Sequence, residues 1–169
     1  MLWLVAAVFG IPILLGVAAF SWIQFLDQTT GTIESSGQMR DYLLFVPSSY
    51  DPQQPVPLVI SLHGAATWPA QQKNLTGWNR LAEEAGFLVV YPGGRGFPRI
   101  WHAMKPGSGL GEDVQFIADL LDHLESTYNI DPARVYVNGL SNGAGMSSAL
   151  ACTLPDRIAA IGMVATAFI

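Results

Sequence analysis

Apolar residues run without a single charge from Leu2 to Ile23 and then break into short blocks separated by polar and proline-containing turns. The later blocks have two periods. Val56 to Leu62 is a continuous apolar run, as expected of a strand buried on both faces. Tyr42 to Val46, Phe87 to Tyr91, Val135 to Val137 and Ile158 to Ala165 are further strand-length blocks. Between them the spacing becomes helical. Leu75, Trp78, Leu81, Ala82 and Ala85 share one helix face that Gly86 stops, and Val114, Ile117, Leu121, Leu124 and Tyr128 share another. A third helix, rich in small residues, is expected over Ala144–Thr153. Pro47, the Asp51–Pro55 stretch, Pro92-Gly93-Gly94 and Asp131-Pro132 punctuate the elements. Residues 93–111 form a long loop. Strands alternating with helices predict an α/β class with a mostly parallel sheet covered on both faces by helices, preceded by an N-terminal hydrophobic helix.

That first run is 22 residues, long enough to cross a bilayer as a helix. No Lys or Arg precedes Arg40, and Val17-Ala18-Ala19 is a poor cleavage site, so an uncleaved signal-anchor is favoured over a cleaved signal peptide. Either reading makes the protein extracytoplasmic, secreted or membrane-anchored through residues 2–23. The expected organisation is a signal-anchor or signal peptide over 1–26, a linker over 27–39 with room for an edge strand, and one α/β domain over 40–169. Net charge is −5 without a basic cluster, which argues against nucleic acid as a partner. The single cysteine, Cys152, excludes an intrachain disulfide, and its place on the last helix suggests a small buried thiol. Nothing suggests a metal or an organic cofactor.

The chemistry centres on Gly139-Leu140-Ser141-Asn142-Gly143. This G-x-S-x-G stretch has the form of a nucleophile elbow, a serine on a sharp turn from strand to helix. Glycines at both ends let strand and helix approach closely, and the helix N-terminus favours negative charge. The backbone N–H of Asn142 then faces a developing oxyanion. In this geometry a second N–H comes from the loop after an earlier strand. Leu62-His63-Gly64-Ala65 follows the Val56–Leu62 strand and assigns that N–H to Ala65. His63 is read as a support for its own loop and not as a base. Only 26 residues follow Gly143, none of them histidine.

Four segments resemble a known family: Leu62-His63-Gly64; Thr76-Gly77-Trp78-Asn79 through Gly86-Phe87-Leu88-Val89-Val90-Tyr91-Pro92; Glu112-Asp113-Val114-Gln115-Phe116-Ile117; and Tyr128 through Gly143. With them the chain resembles the polyhydroxybutyrate depolymerase and feruloyl esterase-like α/β-hydrolases. The resemblance covers about residues 40–165 and implies a partial α/β-hydrolase fold. It also implies an extracytoplasmic serine esterase that acts through an acyl-enzyme on Ser141, with Ala65 and Asn142 as oxyanion donors and an ester, small or polymeric, as partner. Trp101 falls where the family places aromatics near the active site, so Trp101 and His102 are candidate substrate-binding residues. A capping role for Trp101 over the sheet edge stays open. Asp113 reads as a helix cap. The chain departs from the family in three respects. Ala65 stands where many members carry cysteine, Cys152 lacks a mate, and the family's catalytic Asp and His lie past the strand where this chain ends. An incomplete copy with low or no activity alone is the resulting expectation. The alternatives are a catalytically dead membrane-anchored module that binds ester or carbohydrate, or a peptidase of the same superfamily. An unfinished, apolar last strand also predicts self-association.

Overall fold

The computed structural model of the protein describes residues 28–103 and 110–166. The N-terminal apolar run, 2–23, lies outside the described residues. Among the described residues no helix is long and apolar enough to cross a membrane.

Within the stretch read as a linker, Gly31–Ser35 forms β1 and turns back into β2, Gln38–Phe45. The turn residues Ser36 and Gly37 both have positive φ, 51° and 71°. This handedness matches the twist of a tight hairpin. The remaining strands are β3 (Val56–Leu62), β4 (Leu88–Pro92), β5 (Ile130–Leu140) and β6 (Ala160–Val164). They form one sheet in the order β1-β2-β4-β3-β5-β6. The pairs β4–β3, β3–β5 and β5–β6 are parallel, while β2 pairs antiparallel with both β1 and β4. The expected mostly parallel sheet is thus present with an antiparallel hairpin along one edge.

The single helix read across Leu75 to Ala85 is two helices, α1 (Pro69–Thr76) and α2 (Trp78–Ala85). Gly77 between them sits in the left-handed region at φ 65°, which ends one helix and starts the next. Helical spacing alone continues through such a break, so the pattern did not reveal it. The other helices are α3 (Leu110–Thr127) and α4 (Asn142–Thr153).

Helices cover both faces. On one, Phe116, Ile117, Leu120, Leu121 and Leu124 of α3 and Met146 and Leu150 of α4 pack on Leu58, Ile60, Leu62, Val90, Val135 and Val137. On the other, Ala82 and Trp78 of α2 pack with Val59, Val89, Tyr91 and Leu43. The run Leu58–Leu62 of β3 is buried on both faces, apolar except for Ser61, whose hydroxyl donates to Asn138 Oδ1 and accepts from Gln72 Nε2. Burying each such aliphatic side chain contributes about 1.5–3 kcal/mol. Cys152 departs from expectation. It lies on α4 as predicted, but its turn of the helix faces outward and the thiol is exposed.

Candidate active site

Ser141 joins the end of β5 to the first residue of α4. Its φ of 53° and ψ of −114° place a non-glycine residue in a strained conformation. Such strain costs about 1–3 kcal/mol and persists only where the surroundings enforce it. Here the enforcing contacts are backbone ones. Ser141 N–H donates to the Val164 carbonyl of β6 at 2.8 Å, and the Ser141 carbonyl accepts from Ala144 and Gly145. A β-carbon at Gly139 would overlap the Gly143 carbonyl, and one at Gly143 would overlap the carbonyls of Leu62 and His63. Both glycines are therefore fixed by close backbone approach. A serine at a helix start ordinarily caps it with its hydroxyl. Ser141 makes no side-chain cap bond and is exposed, which leaves Oγ to meet a ligand.

The loop after β3 lies against this turn. A β-carbon built on Gly64 would stand 3.8 Å from Ser141 Cβ. The next residue, Ala65, is exposed. Ala66 N–H is taken by the Arg99 carbonyl at 2.8 Å, whereas among the described residues Ala65 N–H meets no acceptor. Asn142 N–H belongs to the first turn of α4, where N–H groups have no partner within the helix. The Ala65 N–H and the Asn142 N–H are thus open backbone donors on the two segments that meet at Ser141, the second at the positive end of a helix.

His63 supports this loop from beneath. It is fully buried; its Nδ1–H donates to the Gly64 carbonyl at 2.7 Å and its Nε2 accepts from Gly94 N–H at 2.9 Å. Burial holds its pKa down at about 4, so the ring is neutral at physiological pH. With both ring nitrogens engaged, His63 is not available as a base. His123 is exposed on α3, and its Nε2 lies 3.1 Å from the Tyr42 hydroxyl.

Trp101 ties the two halves of the site together. Its N–H donates to Asn142 Oδ1 at 2.7 Å, and its carbonyl accepts from Asn142 Nδ2 at 2.8 Å. Its indole N–H donates to the His63 carbonyl at 3.1 Å. The side chain is only 2% exposed. Trp101 is thus held in the interior, where it supports both segments of the site. Its ring packs against His63 beneath the loop, with centroids 5.3 Å apart. His102 stays partly exposed, with Nδ1 3.1 Å from Asp113 Oδ2.

Asp113 itself is not a cap. It stands fourth in α3, fully buried, facing the Trp101 loop and Arg40. Arg40 is equally buried, stacks 4.0 Å over the Phe116 ring and donates to the Gly93 carbonyl. Burial draws its pKa below the usual value, and Asp113 opposes that shift. Sequence reading missed this pair. Its members are 73 positions apart, and nothing local marks an arginine in a strand as buried.

A family model described as esterase PHB depolymerase matches residues 40–169. The chain belongs to the esterase PHB depolymerase family. It is 34% identical over 163 residues to poly(3-hydroxyalkanoate) depolymerase C of Paucimonas lemoignei, covering 93% of this chain and 38% of that protein. It is 29% identical over 139 residues to feruloyl esterase C of Emericella nidulans, covering 80% of this chain and 49% of the relative. The solved acetyl xylan esterase from Aspergillus awamori matches with a TM-score of 0.70 at 23% identity, over 79% of this chain and 49% of that one, and so shares its fold. The chain thus spans less than half the length of these relatives. Within that span the esterase PHB depolymerase fold is α/β-hydrolase-like: a mixed sheet, helices on both faces and a serine at the β5–α4 turn. Among the described residues no group of three or more His, Cys, Asp or Glu side chains is placed to hold a metal ion.

Proposed function

We propose that this chain carries the acyl-transfer centre of a serine carboxylester hydrolase. Ser141 is the nucleophile, and the N–H groups of Ala65 and Asn142 form the oxyanion hole. The observation that carries the reading is the exposed Ser141 at φ 53°, its hydroxyl unspent on capping, beside a loop with an open N–H. In the reaction Oγ attacks the ester carbonyl carbon and its proton passes to a base. The carbonyl oxygen becomes an oxyanion between the two N–H groups. Collapse expels the alcohol with a proton and leaves an acyl-serine, which water hydrolyses. Each oxyanion donor of this kind contributes about 2.7–4 kcal/mol to the barrier reduction.

The substrate is a carboxylic ester, the class shared by the names of the relatives, which span poly(3-hydroxyalkanoate), feruloyl and acetylxylan esters. No base or acid for Ser141 is assigned among the described residues. The 169 residues alone then turn over slowly, at the level that an oxyanion hole and binding give without a complete triad, about 10³–10⁴-fold over water. The apolar run 2–23 supports a location outside the cytoplasm, secreted or anchored.

The test is labelling with a fluorophosphonate probe, with 4-nitrophenyl acetate turnover alongside. Slow labelling of the folded chain that disappears in Ser141→Ala is the expected result. A folded chain that never labels, yet binds an ester, would replace the enzyme with a binding module. Self-association is proposed through β6, which closes the sheet among the described strands and leaves Val164 58% exposed. Light scattering of the 169-residue chain should show species larger than a monomer, and a monodisperse monomer would refute it.

A further inference from the structure

Asp113 occupies a place that stability alone does not explain. A buried carboxylate costs several kcal/mol unless paired. It is paired on two sides, and each side leads to the Ser141 turn. Oδ2 accepts from the backbone N–H of His102 at 2.9 Å and faces His102 Nδ1 at 3.1 Å. Oδ1 lies 2.9 Å from Arg40 Nη2, off the hydrogen-bonding direction, so that contact is ionic. Arg40 donates to the Gly93 carbonyl, and the neighbouring Gly94 N–H donates to His63 Nε2. The His63 carbonyl accepts from the Trp101 indole, and Trp101 adjoins His102. The chain of contacts closes on itself: Asp113, Arg40, Gly93-Gly94, His63, Trp101-His102, Asp113.

Both proposed oxyanion donors hang from this ring. Ala65 follows His63 and Gly64. Asn142 is clamped at both ends of its side-chain amide by the Trp101 backbone. Asp113 touches neither Ser141 nor a bound ester. It holds the segment that sets the distance between the two N–H groups.

We propose that Asp113 is a positioning residue for the Ser141 site, acting through the Trp101-His102 backbone. The labelling arm of its test rests on Ser141 being the nucleophile, and the exchange arm does not. Three variants of the 169-residue chain are compared with wild type: Asp113→Ala, Asp113→Asn and Leu121→Ala. Leu121 is a fully buried residue of the same helix, away from the loop, and its truncation lowers stability without touching the ring. Displacing reacting groups by about 1 Å costs on the order of 100-fold in rate. Fluorophosphonate labelling of folded Asp113→Ala should therefore slow by about 10- to 100-fold. Asp113→Asn should recover part of the rate, because its amide oxygen still accepts from His102 N–H. Folded Leu121→Ala should label like wild type.

Amide exchange followed by NMR gives the second readout. In Asp113→Ala the N–H groups of Trp101 and His102 and the Trp101 indole should exchange at least about 10-fold faster, and in Asp113→Asn by less. Val59, Val90 and Val137 in the sheet should keep wild-type protection. Uniform loss of protection, equal labelling in Asp113→Ala and Leu121→Ala, or failure of both Asp113 variants to fold would make Asp113 a residue of the fold and overturn the proposal. If wild type does not label, the nucleophile reading fails while the exchange comparison still decides the role of Asp113.

Discussion

Gly143→Ala is expected to destabilise the protein by about 3–5 kcal/mol, the range in which single substitutions break a structural rule outright. The reason is geometric. A methyl group at 143 overlaps the carbonyl groups of Leu62 and His63, and these are backbone atoms of the β3 end and the oxyanion loop. Side chains rotate out of the way of a new methyl group, but a buried strand does not. The overlap is relieved only by lifting α4 off β3, which unpacks Met146 and Leu150 from the core. At about 2–4 °C per kcal/mol for a chain of this size, the melting temperature should fall by roughly 10 °C or more. Gly111→Ala is the matched control. Gly111 lies in the first turn of α3 with open space where its β-carbon would be, so alanine there should be neutral or slightly stabilising. Thermal melts of the two variants beside wild type check the contrast. Equal melting temperatures for Gly143→Ala and wild type would mean that the elbow is not packed as described.

The same residues show what a sequence discloses and what it withholds. The elbow was legible because its chemistry is local: five consecutive residues fix a turn, and its glycines are required by contacts with the strand and helix they join. β3 was legible because burial on both faces leaves no polar position from Leu58 to Ile60. The role of His63 as a loop support was also readable, since it directly precedes the glycine of the oxyanion loop. What remained hidden depends on pairings between distant segments. Arg40 and Asp113 meet only because β2 inserts antiparallel beside β4 and thereby brings its start to the C-terminal end of the parallel strands. For Trp101 the sequence left open a place near the substrate and a cap over the sheet edge, and only the fold shows that the loop tucks its ring under His63. The break at Gly77 was hidden for the opposite reason: the apolar spacing on its two sides happens to stay in phase. The exposed Cys152 shows the same limit, because small residues around α4 suggested burial on every side, whereas the sheet covers one side only.

His63 supplies the second large effect, and its sign follows from linkage. In the unfolded chain the imidazole has an ordinary pKa of about 6.5. In the folded protein burial lowers it to about 4. Above pH 6.5 the ring is neutral in both states and contributes no pH dependence. Between 6.5 and 4 the unfolded chain binds a proton that the folded one refuses, so stability falls as the pH is lowered. Below 4 the folded protein also takes up the proton and the loss levels off. The difference of about 2.5 pKa units corresponds to about 3 kcal/mol across the window. Glu83 and Asp131, whose pKa values are also lowered, add losses of the same sign at lower pH through their hydrogen bonds to Ser48 and to Arg134 and Ala133. A variant separates these contributions. His63→Gln keeps a hydrogen-bonding side chain but does not titrate. It should be less stable than wild type at pH 7, where it loses the fitted pair of bonds to Gly64 and Gly94. Its urea midpoint should nevertheless change less between pH 7 and pH 4.5, by an amount equivalent to about 2–3 kcal/mol. Equal pH dependence in the two proteins would place a charged or solvent-reached imidazole at 63, and the oxyanion loop would then lack its neutral support. Protonation of His63 would break its acceptance from Gly94 N–H, so the loop of residues 63–66 should loosen as the pH falls towards 4.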